Sequence, residues 1–593
     1  MSQSFLPRPI SLPAFEVPRR LRAFVRARET SVVVLAALVG ALAGLVVAGM
    51  GIGVDLLHQL FFGLGPGERL SARFALPPEF AFFVPFAGGL AFGLVTALVV
   101  RQRPTREIDP IEANALHGGR MSLRGSVFVA LQTVWSSGVG ASVGLEAGYT
   151  QLASGIASRI GQAFRLRRSD LRILVGCGAA GGIAGAFGAP LAGAFYAFEL
   201  VIGSYSVTSL APVGISALVG YLVARSFAPA QLGIITPDVT KIAGHDLVLA
   251  GALGLFAACF GIVLMRCVAL CESMFLRLRV PSALRPGLGG AAVGLLAMIS
   301  PQVMSSGHGA LHLAGVLDRP LQTVALLFAL KAAASIVSLG SGFRGGLFFA
   351  SLLLGALGGH IFAAGLNMAA PAIGFDPNSY ALIGMSALAA SVIGGPLTMI
   401  FIALETTGDL WLATAVLIAV IISGQVTREV FGYSFATWRF HLRGETIRSA
   451  ADVGWIRELT VGRMMRPDVR TTFADTPLPA FREAFPLGST GQVVAIDQDG
   501  RYAGLVIVPE AHAAELSDNI TVRDIIHNAD DMLLPGMTVQ DAVAAFDRTE
   551  AEALAVVESR ETRRVIGLLT EAHVLRRYSA ELDLRRRELL GEV

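Results

Sequence analysis

Glu146 stands in the run Gly144-Leu145-Glu146-Ala147-Gly148, a single carboxylate set between glycines in text otherwise apolar enough to lie within a bilayer. An ionisable side chain at membrane depth costs at least about 2.5 kcal/mol, so it is either neutralised or placed on a polar pathway. Gly144 and Gly148 let backbone N–H groups come close to whatever lies beside them. A helix starting after Gly148 would aim its positive dipole end at the same point, which suits an anion or a carboxylate standing in for one. The plain alternative is a lone glutamate snorkelling to an interface near a helix end.

Two further carboxylates share a spacing. Pro190-Leu191 is followed by Glu199 in GAPLAGAFYAFEL, and Pro396-Leu397 by Glu405 in GGPLTMIFIALET, both gaps being nine residues. Gly144–Gly148 precedes the first copy much as Gly342-Phe343-Arg344-Gly345-Gly346 precedes the second. Two halves, each with a Gly-rich break and then a Pro-led helix ending in Glu, fit a repeat architecture with a site near the bilayer midplane. Glu199 and Glu405 read as structural carboxylates, capping or pairing within a helix bundle.

The elements that position these groups are membrane helices. The chain has 593 residues, 53% hydrophobic and 15% charged, which is too apolar for a soluble protein. A net charge of +3 makes nucleic acid a poor partner. Arg19, Arg20, Arg22, Arg26 and Arg28 precede the first long apolar run, so that end is expected in the cytoplasm. The run is too long for a signal-peptide core and no small-residue cleavage site follows, so the first span is expected to stay. Cys177, Cys259, Cys267 and Cys271 lack CxxC or His-paired spacing, and read as reduced packing residues with no metal site.

In chain order, residues 1–28 form a basic arm in which Pro7, Pro9, Pro13 and Pro18 oppose a long helix. The first membrane repeat is expected over 29–226 and the second over 227–440. Apolar runs at about 30–53 and 81–100 can each span the hydrocarbon as helices. From 125 to 226 and 245 to 428, Gly and Pro cut the apolar text repeatedly, as in GCGAAGGIAGAFGAPLAG. The expectation is many half-length broken helices, which are tolerated only around a polar cavity or inside protein. After Arg439 the text becomes charged: a linker at 441–458, a soluble domain of two similar α/β halves over 459–580, and an amphipathic helix at 581–593.

Over essentially its whole length the chain resembles the ClC family of chloride channels and proton-coupled anion antiporters. GLEAG is similar to the family's GREGP stretch, GSGFRGGLF to its GKxGGxFxP stretch, and Phe431-Gly432-Tyr433-Ser434 to the region of its late, pore-facing tyrosine. The tail resembles paired CBS domains. The resemblance implies an all-α membrane domain of two inverted repeats plus a cytoplasmic α/β CBS pair. It further implies a homodimer with an anion pathway in each subunit, carrying chloride or a similar anion, with protons as a second substrate. It makes a multi-pass protein of a bacterial inner membrane, both termini cytoplasmic, and no enzyme. Glu146 falls on the gating glutamate. The pathway would be lined by Gly144, Leu145, Ala147 and Gly148 of the first break, by Gly346, Leu347, Phe348 and Phe349 of the second, and by Tyr433.

Several positions depart from the family pattern. Where the family reads GSGIP, with a serine at the central anion site, the chain reads Arg106-Glu107-Ile108-Asp109-Pro110. Glu107 beside an anion would repel it unless Arg106 or a proton compensates; alternatively the loop has shifted and backbone N–H groups coordinate. Gly148 replaces the proline that ends the gating loop, so helix initiation there is expected to be looser. The inner proton glutamate of the antiporters matches Leu200, which carries no proton, so coupling is expected to be weak or absent. Arg344 is either an extracellular attractant for anions or a solvated loop charge. In the tail, Gly567-Leu568-Leu569-Thr570 is followed by Glu571, Ala572 and His573, and the other half has Gly504 with Ile507 and Glu510. Neither half keeps the ribose-binding aspartate, which disfavours an adenine nucleotide as cofactor. A competing reading is a membrane-embedded sensor or scaffold with a vestigial pathway, signalling through the CBS pair.

Overall fold

The chain is analysed as a computed structural model that describes residues 18, 29–102, 107–228, 242–307, 319–435, 437–438, 459–577 and 579–580. The arm at 1–28 apart from Pro18, Arg106, the linker at 441–458 and the helix expected at 581–593 lie outside the described residues. The chain divides into two compact units, 1–452 and 453–593.

In the first unit the helices come in two matched series. The first is α1 (Glu29–Phe62), α2 (Pro78–Gln102), α3 (Pro110–Leu116), α4 (Leu123–Gly138), α5 (Glu146–Ala163), α6 (Arg168–Phe187), α7 (Pro190–Tyr196) and α8 (Val207–Phe227). The second is α9 (Gly244–Arg277), α10 (Arg285–Ile299), α11 (Leu321–Gly340), α12 (Phe348–Ala369), α13 (Pro377–Ile393), α14 (Pro396–Thr407) and α15 (Leu410–Val430). α1 and α9 each have 34 residues, and α8 and α15 each have 21. The Pro-led α7 and α14 both follow a glycine in the left-handed region, Gly188 at φ +68° and Gly394 at φ +88°, which ends the helix before and frees the chain to turn. Among the described residues, eight helices are long and apolar enough to cross a membrane.

The glycine-rich runs do not break the helices as often as the sequence suggests. Residues 176–185, with five glycines, lie inside the unbroken α6. Those glycines serve close packing instead: a Cβ on Gly178 would meet the backbone of Ala153 in α5, and one on Gly181 would meet Ala43 and Gly40 of α1. The real breaks are few, at 139–145, 188–189, 203–206, 341–347 and 394–395. After α7 the backbone continues as a wider π-helical turn over Ala197–Ile202, which carries Glu199 and Leu200.

The second unit is built from two similar halves. In the first, β1 (Thr471–Phe473) runs parallel to β2 (Gln492–Ile496), which pairs antiparallel with β3 (Tyr502–Ile507). In the second, β4 (Ala553–Val557) pairs antiparallel with β5 (Val565–Thr570), and Leu533 makes a parallel bridge to Val556 where the first half has β1. The segment preceding each half crosses to the other: Arg466 bridges Leu568 on β5, and His527 bridges Leu505 on β3. Val494, Leu505, Ala555 and Val557 close a shared core between the two halves.

Candidate functional site

The two Gly-rich breaks meet each other. Gly144 N–H donates to the Gly346 carbonyl at 2.9 Å, and Gly346 N–H to the Gly144 carbonyl at 3.2 Å, a two-bond antiparallel bridge between the repeats. α5 and α12 both start from this bridge. α5 begins at Glu146 itself, not after Gly148, and Gly148 lies within the helix, packed toward Met50 and Thr133. The looser start expected from the missing proline does not arise, because the bridge fixes the entry strand.

Glu146 is buried, and its Oε1 accepts the Phe348 N–H at 2.6 Å. Phe348 is the first residue of α12, so the carboxylate sits at the positive end of that 22-residue helix. Its other oxygen, Oε2, is buried without a partner. A Cβ on either Gly144 or Gly346 would collide with this carboxylate, so both glycines are required by its position.

Beside Glu146 lies a cavity of about 150 Å³. Of the expected residues it is lined by Glu107, Asp109, Pro110, Glu146, Ala147, Leu200, Gly346, Leu347 and Phe348. Glu107 therefore stands on the cavity wall, and the loop has not shifted it away. Ile108 is not among the lining residues; its carbonyl accepts from Gln151 Nε2 at 2.8 Å. Asp109 is the N-cap of α3, its Oδ1 accepting the Ile111 N–H at 2.8 Å. Arg344 also lines the cavity, close enough to Glu107 for its charge to act on that carboxylate. It is half-buried.

Gly144, Leu145, Gly148, Phe349 and Tyr433, also expected on the pathway, do not line this cavity. Phe349 stacks on Phe187 at 4.4 Å between ring centroids, and Phe187 also meets the cavity-lining Phe348 at 4.5 Å. Leu145 lines a second, smaller cavity of about 60 Å³ with Tyr149, Asp55, His58 and Arg69. Tyr433 rests against Trp438 at 5.6 Å and is not on the cavity wall, where Phe435 of the same segment stands with Tyr196 and Phe348. The cause is Gly432, whose φ of +85° turns the chain just after α15. The residues missed are Thr150 and Tyr196, two hydroxyls on the cavity wall. Their spacing held the signal: Thr150 is four residues after Glu146 and Tyr196 four before Leu200, the same helix faces.

Glu199 and Glu405 cap each other's repeats. Glu199 accepts the Leu397 N–H at 2.8 Å, the Thr398 N–H at 2.9 Å and the Thr398 hydroxyl at 2.7 Å, at the start of α14. Glu405, near the end of α14, accepts the Leu191 and Ala192 N–H groups at 2.8 and 2.9 Å, at the start of α7. Lys331 of α11 is fully buried and donates to the Val303 and Ser305 carbonyls, both at 3.0 Å.

In the second unit, Glu510 Oε2 is held by His527 Nε2 at 2.7 Å. His573, at the other matching position, lies among Arg466, Arg576 and Arg577; burial and those charges hold its imidazole below the ordinary range. Among the described residues no cluster of three or more His, Cys, Asp or Glu could hold a metal ion.

Comparison with known proteins agrees with this arrangement. The family described as "Voltage gated chloride channel" matches residues 88–428, and the CBS domain matches 520–580. A putative chloride channel protein ClcB-like of Ralstonia nicotianae is 33% identical over 387 residues, covering 64% of this chain and 90% of that one. The voltage-gated ClC-type chloride channel ClcB of Escherichia coli is 30% identical over 401 residues, covering 67% and 95%. Among solved structures, a slow cyanobacterial Cl−/H+ antiporter superposes with a TM-score of 0.61 at 22% identity, covering 70% of this chain and 97% of that one. A eukaryotic CLC transporter gives 0.58 at 20%, covering 93% and 98%. Mutually bridged Gly-rich breaks, a carboxylate at a half-helix N-terminus and these relatives lead to one assignment: the chain belongs to the voltage-gated chloride channel, or ClC, family, an integral multi-pass membrane protein that transports anions, with a C-terminal CBS region.

Proposed function

We propose that the chain moves chloride or a similar small monovalent anion through the cavity beside Glu146, and that Glu146 is its gate. The observation that carries this reading is the Glu146 carboxylate holding the Phe348 N–H at the head of α12. A helix N-terminus attracts an anion without placing a full positive charge in the membrane. Ionised, Glu146 occupies that place and excludes the anion; protonated, it loses most of its attraction to the helix end and swings out, and the anion takes the N–H. Leu200 carries no proton on the cavity wall, so the inner route of the antiporters is replaced or lost, and coupling to protons is weak or takes another path. The protein works as a homodimer in a bacterial inner membrane with both termini cytoplasmic, the basic residues before α1 supporting that orientation. The CBS region serves a structural role, since Glu510 is already engaged by His527 and the matching position is His573.

The test is chloride efflux from proteoliposomes with simultaneous recording of external pH, comparing the native protein with Glu146→Gln. Expected are chloride flux in both, native flux rising as pH falls, and flux in Glu146→Gln that no longer follows pH. No chloride flux in either protein would refute the transport reading and favour the sensor.

A further inference from the structure

We propose that Glu107 is a second proton-loading carboxylate of the cavity, passing its proton to Glu146 and so doing the work for which Leu200 is unfit. This rests on the reading of the cavity as the anion pathway. Among the described residues, three carboxylates, Glu107, Asp109 and Glu146, line it together with one guanidinium, that of Arg344. With all three ionised the wall carries a surplus of negative charge, and an entering anion is repelled. Anion entry therefore draws protons onto the carboxylates best able to take them.

The three are not equivalent. Asp109 is committed to the N-cap of α3 through the Ile111 N–H. Glu146 holds the head of α12 and takes up its proton when it lets go. Glu107 caps no helix. Its carboxylate packs against Gly125 of α4, where a Cβ would collide with it, and the charge that acts on it is that of Arg344. The neighbouring groups that bear on it are thus Asp109 on its own segment, Glu146 on α5, Tyr196 on α7 and Arg344 before α12. Arg344 keeps Glu107 from repelling every anion while leaving its carboxylate open to a proton.

The step balances without any further reactant. A proton from water on the Glu107 side binds a Glu107 oxygen. The O–H bond at Glu107 then breaks as one forms on Glu146, relayed through cavity water, leaving Glu107 ionised and Glu146 neutral and free of Phe348. The cavity of about 150 Å³ has room for the relaying water molecules, with the carboxylates of its lining and the hydroxyls of Thr150 and Tyr196 as their polar partners.

The experiment compares native protein, Glu107→Gln and Glu146→Gln in proteoliposomes, recording chloride flux and proton movement together. Expected for Glu107→Gln is a proton-to-chloride ratio at least fivefold below native, with faster chloride flux at neutral pH because one repelling charge is gone; Glu107→Asp restores most of the ratio. An unchanged ratio in Glu107→Gln overturns the inference, as does a native protein that moves chloride without any protons. Both of those outcomes leave anion transport standing, whereas absence of chloride flux in the native protein overturns both. Should Glu107→Gln fail to fold, Gly125→Ala displaces the carboxylate sterically and is expected to lower the ratio in the same direction.

Discussion

Gly346→Ala moves the gate without touching a titratable group. The new methyl collides with the Glu146 carboxylate and comes within 3.2 Å of Glu146 Cγ. Two responses are open: Glu146 leaves the Phe348 N–H, or the Gly144–Gly346 bridge, with its bonds of 2.9 and 3.2 Å, opens. The bridge consists of two backbone hydrogen bonds that orient the starts of both α5 and α12, so the carboxylate gives way first. Losing a charge-assisted hydrogen bond costs about 1.5–3 kcal/mol. Taking about 2 kcal/mol, the closed state loses roughly 30-fold in occupancy relative to the open one. Chloride efflux from proteoliposomes at neutral pH is therefore expected to rise, up to that factor, while its dependence on pH persists because Glu146 still titrates. Crowding of the pathway by the methyl is separated by the double variant Gly346→Ala/Glu146→Ala. If Gly346→Ala is slow only through crowding, it slows Glu146→Ala equally; if it acts through the gate, it changes Glu146→Ala little. Folded Gly346→Ala with native rate and native pH profile would refute the placement of Glu146 at the head of α12.

Two stability predictions follow from the half-buried Glu405 carboxylate and the buried Lys331 ammonium. Glu405→Ala strips the Leu191 and Ala192 N–H groups of their acceptor and is expected to cost about 2–4 kcal/mol, seen as earlier thermal aggregation in detergent; stability equal to native would mean water or lipid headgroups satisfy the start of α7. Lys331→Met keeps the side-chain length but leaves the Val303 and Ser305 carbonyls without their donor, with an expected loss of about 2–4 kcal/mol by the same assay, and a stabilised variant would show that burying the ammonium costs more than its two bonds return.

What the sequence made legible was whatever depends on the backbone. The Gly-rich breaks and the Pro-to-Glu spacing mark places where the chain must turn or start a helix, and the structure has those elements at Gly188–Pro190, Gly394–Pro396 and the Gly144–Gly346 bridge. Side-chain direction was legible only within one helix, which is why Thr150 and Tyr196 were within reach. Across elements it was not. Arg344 and Glu107 share a cavity although far apart in sequence, because the break before α12 is bridged to the break before α5 and brings its arginine to the same cavity. Tyr433 is a related case: it follows a glycine at φ +85°, and Phe435, two residues on, lines the cavity instead, a choice that no spacing rule encodes.

The same chemistry, a carboxylate on a helix N-terminus, recurs in this unit with different consequences, and counting donors separates them. Glu199 holds two N–H groups and a hydroxyl, and Glu405 two N–H groups, while Glu146 takes only the Phe348 N–H from α12 and leaves Oε2 without a partner. At about 1.5–3 kcal/mol per charge-assisted bond, Glu199 and Glu405 are fixed by two or three times the interaction that holds Glu146. A group with one bond, beside a cavity into which it can move, leaves on a change of a single proton. A group with two or three bonds does not. The difference between cap and gate in this fold is thus one of bond number and adjoining space rather than of residue type, and it predicts that supplying Oε2 of Glu146 with a second donor would lock the pathway shut.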